Sequence, residues 1–285
     1  MPRSALVSND PVEALARLMH GSREIVVLSG AGCSTGSGIP DYRSPDGRWK
    51  IRAPITGQDF ARDPAARRRY WSRSMVGWPH FGAASPNAAH RALARLEAAG
   101  IVGALITQNV DGLHQRAGSR AVTELHGNLS TASCLACGET RPRAEIQEWL
   151  EAENPGFRPA PLSLGADGDA EPAEHVSGDF RTPQCPRCGG ILKPDVVFFG
   201  DSVPPGRVAR CVEAVERADL LLCVGSSLAV YSGYRFCRQA ASRGIPLAAI
   251  NRGQTRADEL LALKIEDDCA AALEALAGEL LPGEG

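Results

Sequence analysis

Continuous apolar runs at residues 25–28, 101–107, 220–224 and 246–250, each followed at once by small or polar residues, predict an α/β fold with a Rossmann-like parallel sheet and helices on both faces. Two further observations sharpen this. Gly30, Gly32, Gly36 and Gly38 follow the first run, where a strand turns into the next element. Two Cys-x-x-Cys pairs, Cys134/Cys137 and Cys185/Cys188, mark a small second domain separate from the sheet.

The totals narrow the function classes. A chain of 285 residues, 44% hydrophobic and 22% charged, is long enough for one large and one small domain and has a globular rather than a disordered composition. A net charge of −2 gives no electrostatic footprint for nucleic acid. No apolar run approaches the ~20 residues of a membrane span, and the N-terminus has no apolar signal core. The expectation is a cytoplasmic monomer that binds neither nucleic acid nor membrane.

Residues 11–20 carry apolar positions at Val12, Leu15, Ala16 and Met19, with Asp10 before Pro11, which predicts a capped helix. After the strand at 25–28 the glycines allow close approach of a ligand to the main chain. Ser34 and Thr35 are expected to cap a helix starting here, whose free N–H groups would attract phosphate. The third position of a G-x-G-x-x-G fingerprint is Thr35, with Gly36 next, and no Lys of a P-loop is present. Ile39, Pro40, Asp41, Tyr42 and Arg43 then break the helix with an acid, an aromatic and a guanidinium, which an ordinary glycine turn does not need.

Residues 46–85 read as a helical insertion, with a turn at Asp46-Gly47 and an Arg- and aromatic-rich helix over 62–78. Tyr70 and Arg73 share a face there; a surface pair is the plain expectation, and holding an acidic group is the alternative. A helix over 87–99 ends at Gly100. The strand at 101–107 leads into Gln108, Asn109 and Asp111, and a short strand at 122–125 leads into His126-Gly127. Ligands of open α/β sheets bind beyond such carboxyl ends. His126, with an ordinary pKa near ~6.5, suits a general base. Helices at 207–217, 231–243 and 267–281 alternate with the strands at 220–224 and 246–250. Those strands end at Gly225-Ser226-Ser227 and Asn251-Arg252-Gly253, again as a nucleotide crevice requires.

Cys134, Cys137, Cys185 and Cys188 fit a tetrahedral zinc with four thiolates and no open position, hence a structural metal. The 47 residues between the pairs, 138–184, are long for a zinc ribbon; 145–153 looks helical and 154–183 irregular. Cys211, Cys223 and Cys237 read as small buried residues, and Cys33 as inert. The expected division is a Rossmann-like domain from 1–45, 86–130 and 190–285, a helical insertion with a cofactor-binding loop over 46–85, and a zinc-binding module with a long loop over 131–189.

Gly30-Ala31-Gly32 with Gly38 through Arg43, Thr107 through His114, Leu125-His126-Gly127, the two cysteine pairs and the two polar strand ends occur in the order found in the sirtuins, NAD-dependent protein lysine deacylases. The sequence resembles that family over nearly its whole length. The inserted loop, the run from Leu192 to Asp201, Tyr231 through Phe236 and Trp71…Gly77-Trp78-Pro79 are similar to class II, whose familiar member is the animal mitochondrial sirtuin with lipoamidase activity. The resemblance implies two ligands besides zinc: NAD and acylated lysine side chains of proteins. It implies His126 as base and Asn109 as the residue positioning water and ribose hydroxyls. It implies Gly30, Ala31, Gly32, Thr35, Asp41, Tyr42, Arg43, Gln108, Asn109, Asp111, Gly225, Ser226, Ser227, Asn251, Arg252, Gly253 and Cys269 as the NAD cradle. Val196, Val197 and Phe198 would pair with the substrate backbone as an added strand. The implied products are nicotinamide, O-acyl-ADP-ribose and free lysine.

Two other readings share these residues. One is an NAD-dependent mono-ADP-ribosyltransferase, which uses the same pocket. The other is a non-catalytic zinc- and nucleotide-binding module, against which a base at the ribose argues. Within the resemblance the acyl group stays open among acetyl, lipoyl, biotinyl and branched acidic chains, and Tyr70 with Arg73 leans toward an acid.

Overall fold

A computed structural model describes residues 10–42, 55–173 and 178–281. The predicted Arg43 and residues 46–54 of the insertion lie outside the described residues. The first helix, α1 (Pro11–His20), begins as its sequence requires: Asp10 accepts from the N–H of Val12, and Pro11 takes the first position, where no N–H is needed. It leads into β1 (Ile25–Ser29), which is buried along its whole length.

β1 lies inside a six-stranded parallel sheet with β2 (Ala104–Thr107), β3 (Val122–Glu124), β9 (Leu220–Val224), β10 (Leu247–Ile250) and β11 (Leu263–Ile265). The spatial order is β11-β10-β9-β1-β2-β3. The order therefore reverses between β1 and β9, the switch point at which open α/β sheets bind ligands.

Alternate residues of the central strands feed two cores. Ile25, Val27, Leu105, Leu220, Leu222 and Ile250 pack with α1, α4 (Ala88–Ala98) and α9 (Cys269–Leu280). Val26, Leu28, Ile106, Leu221 and Cys223 pack on the other face with α7 (Pro205–Arg217) and α8 (Tyr231–Ser242). Burial on both faces explains why these strands read as unbroken apolar runs. Cys211, Cys223 and Cys237 sit in this second core as small apolar residues. The predicted strand at 101–107 is paired only from Ala104.

After β1 the chain forms two 3₁₀ turns, Ala31–Cys33 and Thr35–Ser37, instead of the predicted α-helix. Neither Ser34 nor Thr35 caps a helix there. Ser34 Oγ instead donates to Asp111 and accepts from Asn109, while the Thr35 hydroxyl donates to the Gly32 carbonyl. Gly38, at φ +80°, then ends the segment in a conformation closed to a continuing helix.

The smaller lobe is built from α2 (Gly57–Arg62), α3 (Pro64–Ala83), α6 (Arg143–Glu153) and an antiparallel sheet in the order β5 (Thr140–Pro142), β4 (Gly127–Cys134), β8 (Leu192–Val196). A short helix, α5 (Leu113–Arg116), follows β2. The stretch 154–183, expected to be irregular, contains a two-stranded hairpin, β6 (Pro161–Leu164) with β7 (Ala170–Pro172). Its backbone lies against α3 at Gly77, where a Cβ would come within 2.4 Å of the Asp169 carbonyl carbon. A glycine in mid-helix, otherwise costly, is what admits the hairpin.

Arg143, 1% exposed, ties α6 to α3. Its Nη2 donates to the carbonyl and hydroxyl of Ser74 and to Gln147, and the guanidinium faces the Trp78 ring at 4.8 Å and the Trp71 ring at 5.6 Å. Arg143→Ala leaves a cavity between two indoles and an unpartnered buried carbonyl. The expected loss is about 3 kcal/mol of unfolding free energy, measured by chemical denaturation.

Candidate active site

The two loops at the switch point touch through their main chains. Gly30 N–H donates to the Val224 carbonyl at 2.9 Å and Gly32 N–H to the Gly225 carbonyl at 2.8 Å. Gly225 adopts φ +60°, and a Cβ there would lie 2.3 Å from the Cys33 nitrogen. Only glycine fits this crossing. Above it opens a cavity of about 990 Å³.

The cavity gathers most of the sequence-predicted cradle. Gly30, Ala31, Gly32, Thr35, Asp41, Tyr42, Gln108, Asn109, Gly225, Ser226, Ser227, Asn251, Arg252 and Cys269 all line it. So do His126, Val196, Val197 and Phe198. The volume is at the upper end for a small-molecule site and has room for a dinucleotide with a substrate side chain.

Asp111 and Gly253 are not among the lining residues. Asp111 accepts from the Ser34 hydroxyl at 2.7 Å and from the N–H of Leu113 at 2.9 Å, so its two oxygens tie the glycine loop to the start of α5. Gly253 accepts from Asn251 through its carbonyl and donates its N–H to Glu266, which shapes the β10 loop. Asn87 does similar work from the start of α4: its Nδ2 donates to the Cys33 carbonyl and Ser37 hydroxyl, while its Oδ1 caps the helix. The Cys33 and Cys269 thiols are both pushed up by burial, Cys269 to about 12, so both stay protonated and inert.

His126 follows β3 and is fixed through both ring nitrogens. Nδ1 lies 3.0 Å from the Gln108 carbonyl, which can only accept, so Nδ1 carries the proton. Nε2 lies 2.7 Å from Ser232 Oγ at the start of α8 and accepts from that hydroxyl. Burial holds the imidazole pKa below its ordinary value; the Gln108 hydrogen bond opposes this, and Arg207 and Arg235 assist it. The ring is therefore neutral at neutral pH, with its basic nitrogen on the cavity side. Gln108 is itself pinned, donating from Nε2 to Ser226 Oγ at 2.8 Å, and Asn109 donates to the Gly30 carbonyl and Ser34. The main chain of Val197 donates to the His126 carbonyl, so the strand end at 196–198 and the histidine move as one piece.

Sequence reasoning assigned no role to Ser232, Asp167 or Asp169. Ser232 lay within the quoted stretch Tyr231–Phe236, but nothing local marks a hydroxyl that reaches 106 residues back to His126. Asp167 and Asp169 line the cavity from the hairpin loop, in a stretch without periodicity.

In the small lobe the four cysteine sulfurs converge. Cys134 and Cys188 are 3.5 Å apart and Cys137 and Cys185 3.7 Å, with all four within 4.8 Å of one another. These separations exceed any disulfide bond, about 2.05 Å, and approach the edge of about 3.8 Å expected for four thiolates around zinc. Each knuckle closes alike: Gly138 N–H donates to the Cys134 carbonyl and Gly189 N–H to that of Cys185. Hydrogen bonds from the backbone N–H groups of Cys137 and Ala136 lower the Cys134 thiol to about 6. The set fits a structural zinc.

Residues 30–232 match the model of the Sir2 family. A protein of Xanthomonas campestris pv. campestris (strain 8004) called NAD-dependent protein deacetylase is 53% identical over 260 residues, covering 91% of this chain and 89% of its own. One of the same name from Bordetella bronchiseptica is 54% identical over 258 residues, covering 90% and 94%. The fold also superposes on a solved complex of Sir2 with a p53 peptide and NAD+, at a TM-score of 0.75 and 31% identity over 94% of this chain and 98% of that one. This chain therefore belongs to the Sir2 family, the sirtuins.

Proposed function

We propose that this chain is an NAD-dependent protein lysine deacylase of the deacetylase type, and within the sirtuins a class II member. One observation carries the reading. A neutral imidazole, oriented through Nδ1 by a carbonyl, presents Nε2 to the cavity that the glycine loops floor. A binding module has no use for such a base, and the named relatives in Xanthomonas and Bordetella support the same activity. The class II reading rests on the long inter-cysteine segment, which brings a hairpin to the cavity wall.

Gly30 to Gly32 and Gly225 to Ser227 would seat the pyrophosphate, with Asn251, Arg252 and Cys269 toward the adenosine end. Asp41, Tyr42, Gln108 and Asn109 would surround the nicotinamide ribose. Arg43 belongs with them on the resemblance alone. Bound NAD supplies the ribose carbon that takes the acyl oxygen as nicotinamide leaves. His126 Nε2 accepts a proton from a hydroxyl, and its Nδ1–H bond to Gln108 stabilises the imidazolium that results. Ser232 must yield Nε2 when that hydroxyl arrives. The edge at Val196, Val197 and Phe198 would receive the backbone of the acylated protein.

His126→Ala is expected to reduce NAD-dependent deacetylation of an acetyl-lysine peptide by about 10²- to 10⁴-fold while ADP-ribose still binds. Unchanged formation of free lysine and O-acyl-ADP-ribose would refute the base assignment. A base works only when deprotonated, and burial lowers this imidazole. So kcat/KM should be flat through neutral pH and fall only below the ordinary imidazole value of ~6.5. Ser232→Ala removes a donor that favours the neutral ring, so the acid limb should move to higher pH. A limb that stays in place would deny Ser232 its contact with the base. For the metal, elemental analysis should find one zinc per chain, and Cys185→Ser should lose it together with small-lobe stability, read by thermal unfolding.

A further inference from the structure

Beyond the edge at 196–198 the cavity is lined by Ser202 and Val203, and by the segment 229–232 and Arg235 from the start of α8. Val230 and Tyr231 are exposed, so this part of the lining is the mouth of the cavity and not its floor. Two contacts fix the first turn of α8 there. Ser232 Oγ lies 2.7 Å from His126 Nε2, and at Gly233 a Cβ would come within 2.4 Å of Gln108 Oε1. Arg235, three residues after Ser232, stands on the same face of the helix. The turn that engages His126 therefore also sets a guanidinium at the mouth.

That guanidinium has no countercharge. Its Nε is buried without a hydrogen-bond partner, and its Cζ lies 5.6 Å from the Tyr231 ring. Arg207, at the start of α7, donates to the Leu125 carbonyl at 3.3 Å, an uncharged partner that leaves its charge unmatched. Cys211, buried where α7 meets α8, feels Arg210, Arg207 and Arg235 together, and His126 feels the last two. Among the described residues no carboxylate pairs with any of these three arginines, whereas Arg243 has Glu216 and Arg252 has Asp268. The acid nearest in sequence to Ser202 on the other lip, Asp201, is already matched by Lys193 at 3.4 Å. A buried donor left unpaired in a cluster of like charges is costly until an anion reaches it.

The geometry says where such an anion comes from. The glycine floor at 30–32 and 225–227 is the place for a pyrophosphate, and Arg235 stands apart from it, one turn along α8 from the serine that holds His126. The neighbour of His126 on that side is the edge at 196–198, joined to it by the Val197 N–H. A chain laid extended on this edge puts residues two apart on one face, ~6.8 Å from one another. One helical turn from Ser232 to Arg235 covers ~5.4 Å. A side chain two residues from the one that enters at His126 therefore reaches the level of Arg235.

We infer that Arg235, backed by Arg207 and Arg210, selects acylated proteins that carry an aspartate or glutamate two residues from the modified lysine. The inference deepens the deacylase reading and rests on it for the course of the peptide. The carboxylate accepts from the guanidinium fork, Nε included, and supplies the charge that the cluster lacks. A lysine or arginine at the same place meets three cations and is disfavoured.

The test is binding, with each comparison made inside one protein. Fluorescein-labelled acetyl-lysine peptides that differ only by Asp, Asn or Lys at the second residue before or after the acetyl-lysine are titrated with the full chain in the presence of ADP-ribose, and anisotropy gives Kd. At one of the two positions the Asp peptide should bind roughly tenfold tighter than its isosteric Asn counterpart, and the Lys peptide weaker than both. Raising the salt from ~0.05 to ~0.5 M should shrink the advantage of Asp. The advantage should be lost in Arg235→Gln and kept at reduced size in Arg235→Lys, which retains the charge. Equal binding of the Asp and Asn peptides at both positions, tighter binding of the Lys peptide, an advantage that survives Arg235→Gln, or no binding of any peptide would overturn the inference. Turnover of the Asn peptides with NAD is followed in parallel. Turnover without a preference for Asp sinks this inference alone, and a preference for Asp without turnover sinks only the deacylase reading.

Discussion

The structure depends on one close approach, the crossing of the β1 and β9 loops at the switch point of the sheet. Two main-chain hydrogen bonds, from Gly30 to Val224 and from Gly32 to Gly225, hold the loops together without side chains between them. Positions flanking the crossing inherit their places from it. Ser226 receives the Gln108 amide, the Gln108 carbonyl receives His126 Nδ1, and the His126 carbonyl receives the Val197 N–H. The glycine floor, His126 and the edge at 196–198 thus form a single relay of hydrogen bonds, and an error at the crossing reaches all of them.

The buried polar layer beneath this floor has the same logic. Ser29 donates to Thr107 and lies 2.8 Å from His114 Nε2, and Ser34 joins Asp111 to Asn109. Burial lowers His114 to about 3 and His90 to about 4, so both rings are neutral spacers in a packed layer rather than titrating groups. His126 differs from them by position. It too is lowered by burial, but it lines the cavity, where its Nε2 is held by the Ser232 hydroxyl and not by the packed layer.

What could be read from the sequence follows from the range of each interaction. The strands were legible because burial on both faces leaves an unbroken apolar run, and α1 because Asp10 and Pro11 act within one turn. The cysteine knuckles were legible because each Gly-closed turn is local. The 3₁₀ turns after β1 were not, since Ser34 is diverted by Asp111, 77 residues away. Asp111 joins that loop to α5 through its two oxygens, a tie that no local spacing announces. Ser232 and the two aspartates act only through contacts that topology creates, so no spacing announces them.

The hairpin shows the same point in its sharpest form. Tyr70 and Arg73 have a spacing that the helix period fixes, and the period does put them on one face. Whether that face is a surface, an anion site or something else depends on what is laid against it. Here Gly77, one turn further along α3, removes the side chain that would keep the hairpin away, and the hairpin brings Asp167, Asp169 and Glu171. The guanidinium then serves as a clamp for a loop, paired with Asp169 and Glu171. A glycine thereby decides whether Arg73 is free or paired, which is why a two-residue motif cannot be translated into a specificity without the element that packs on it.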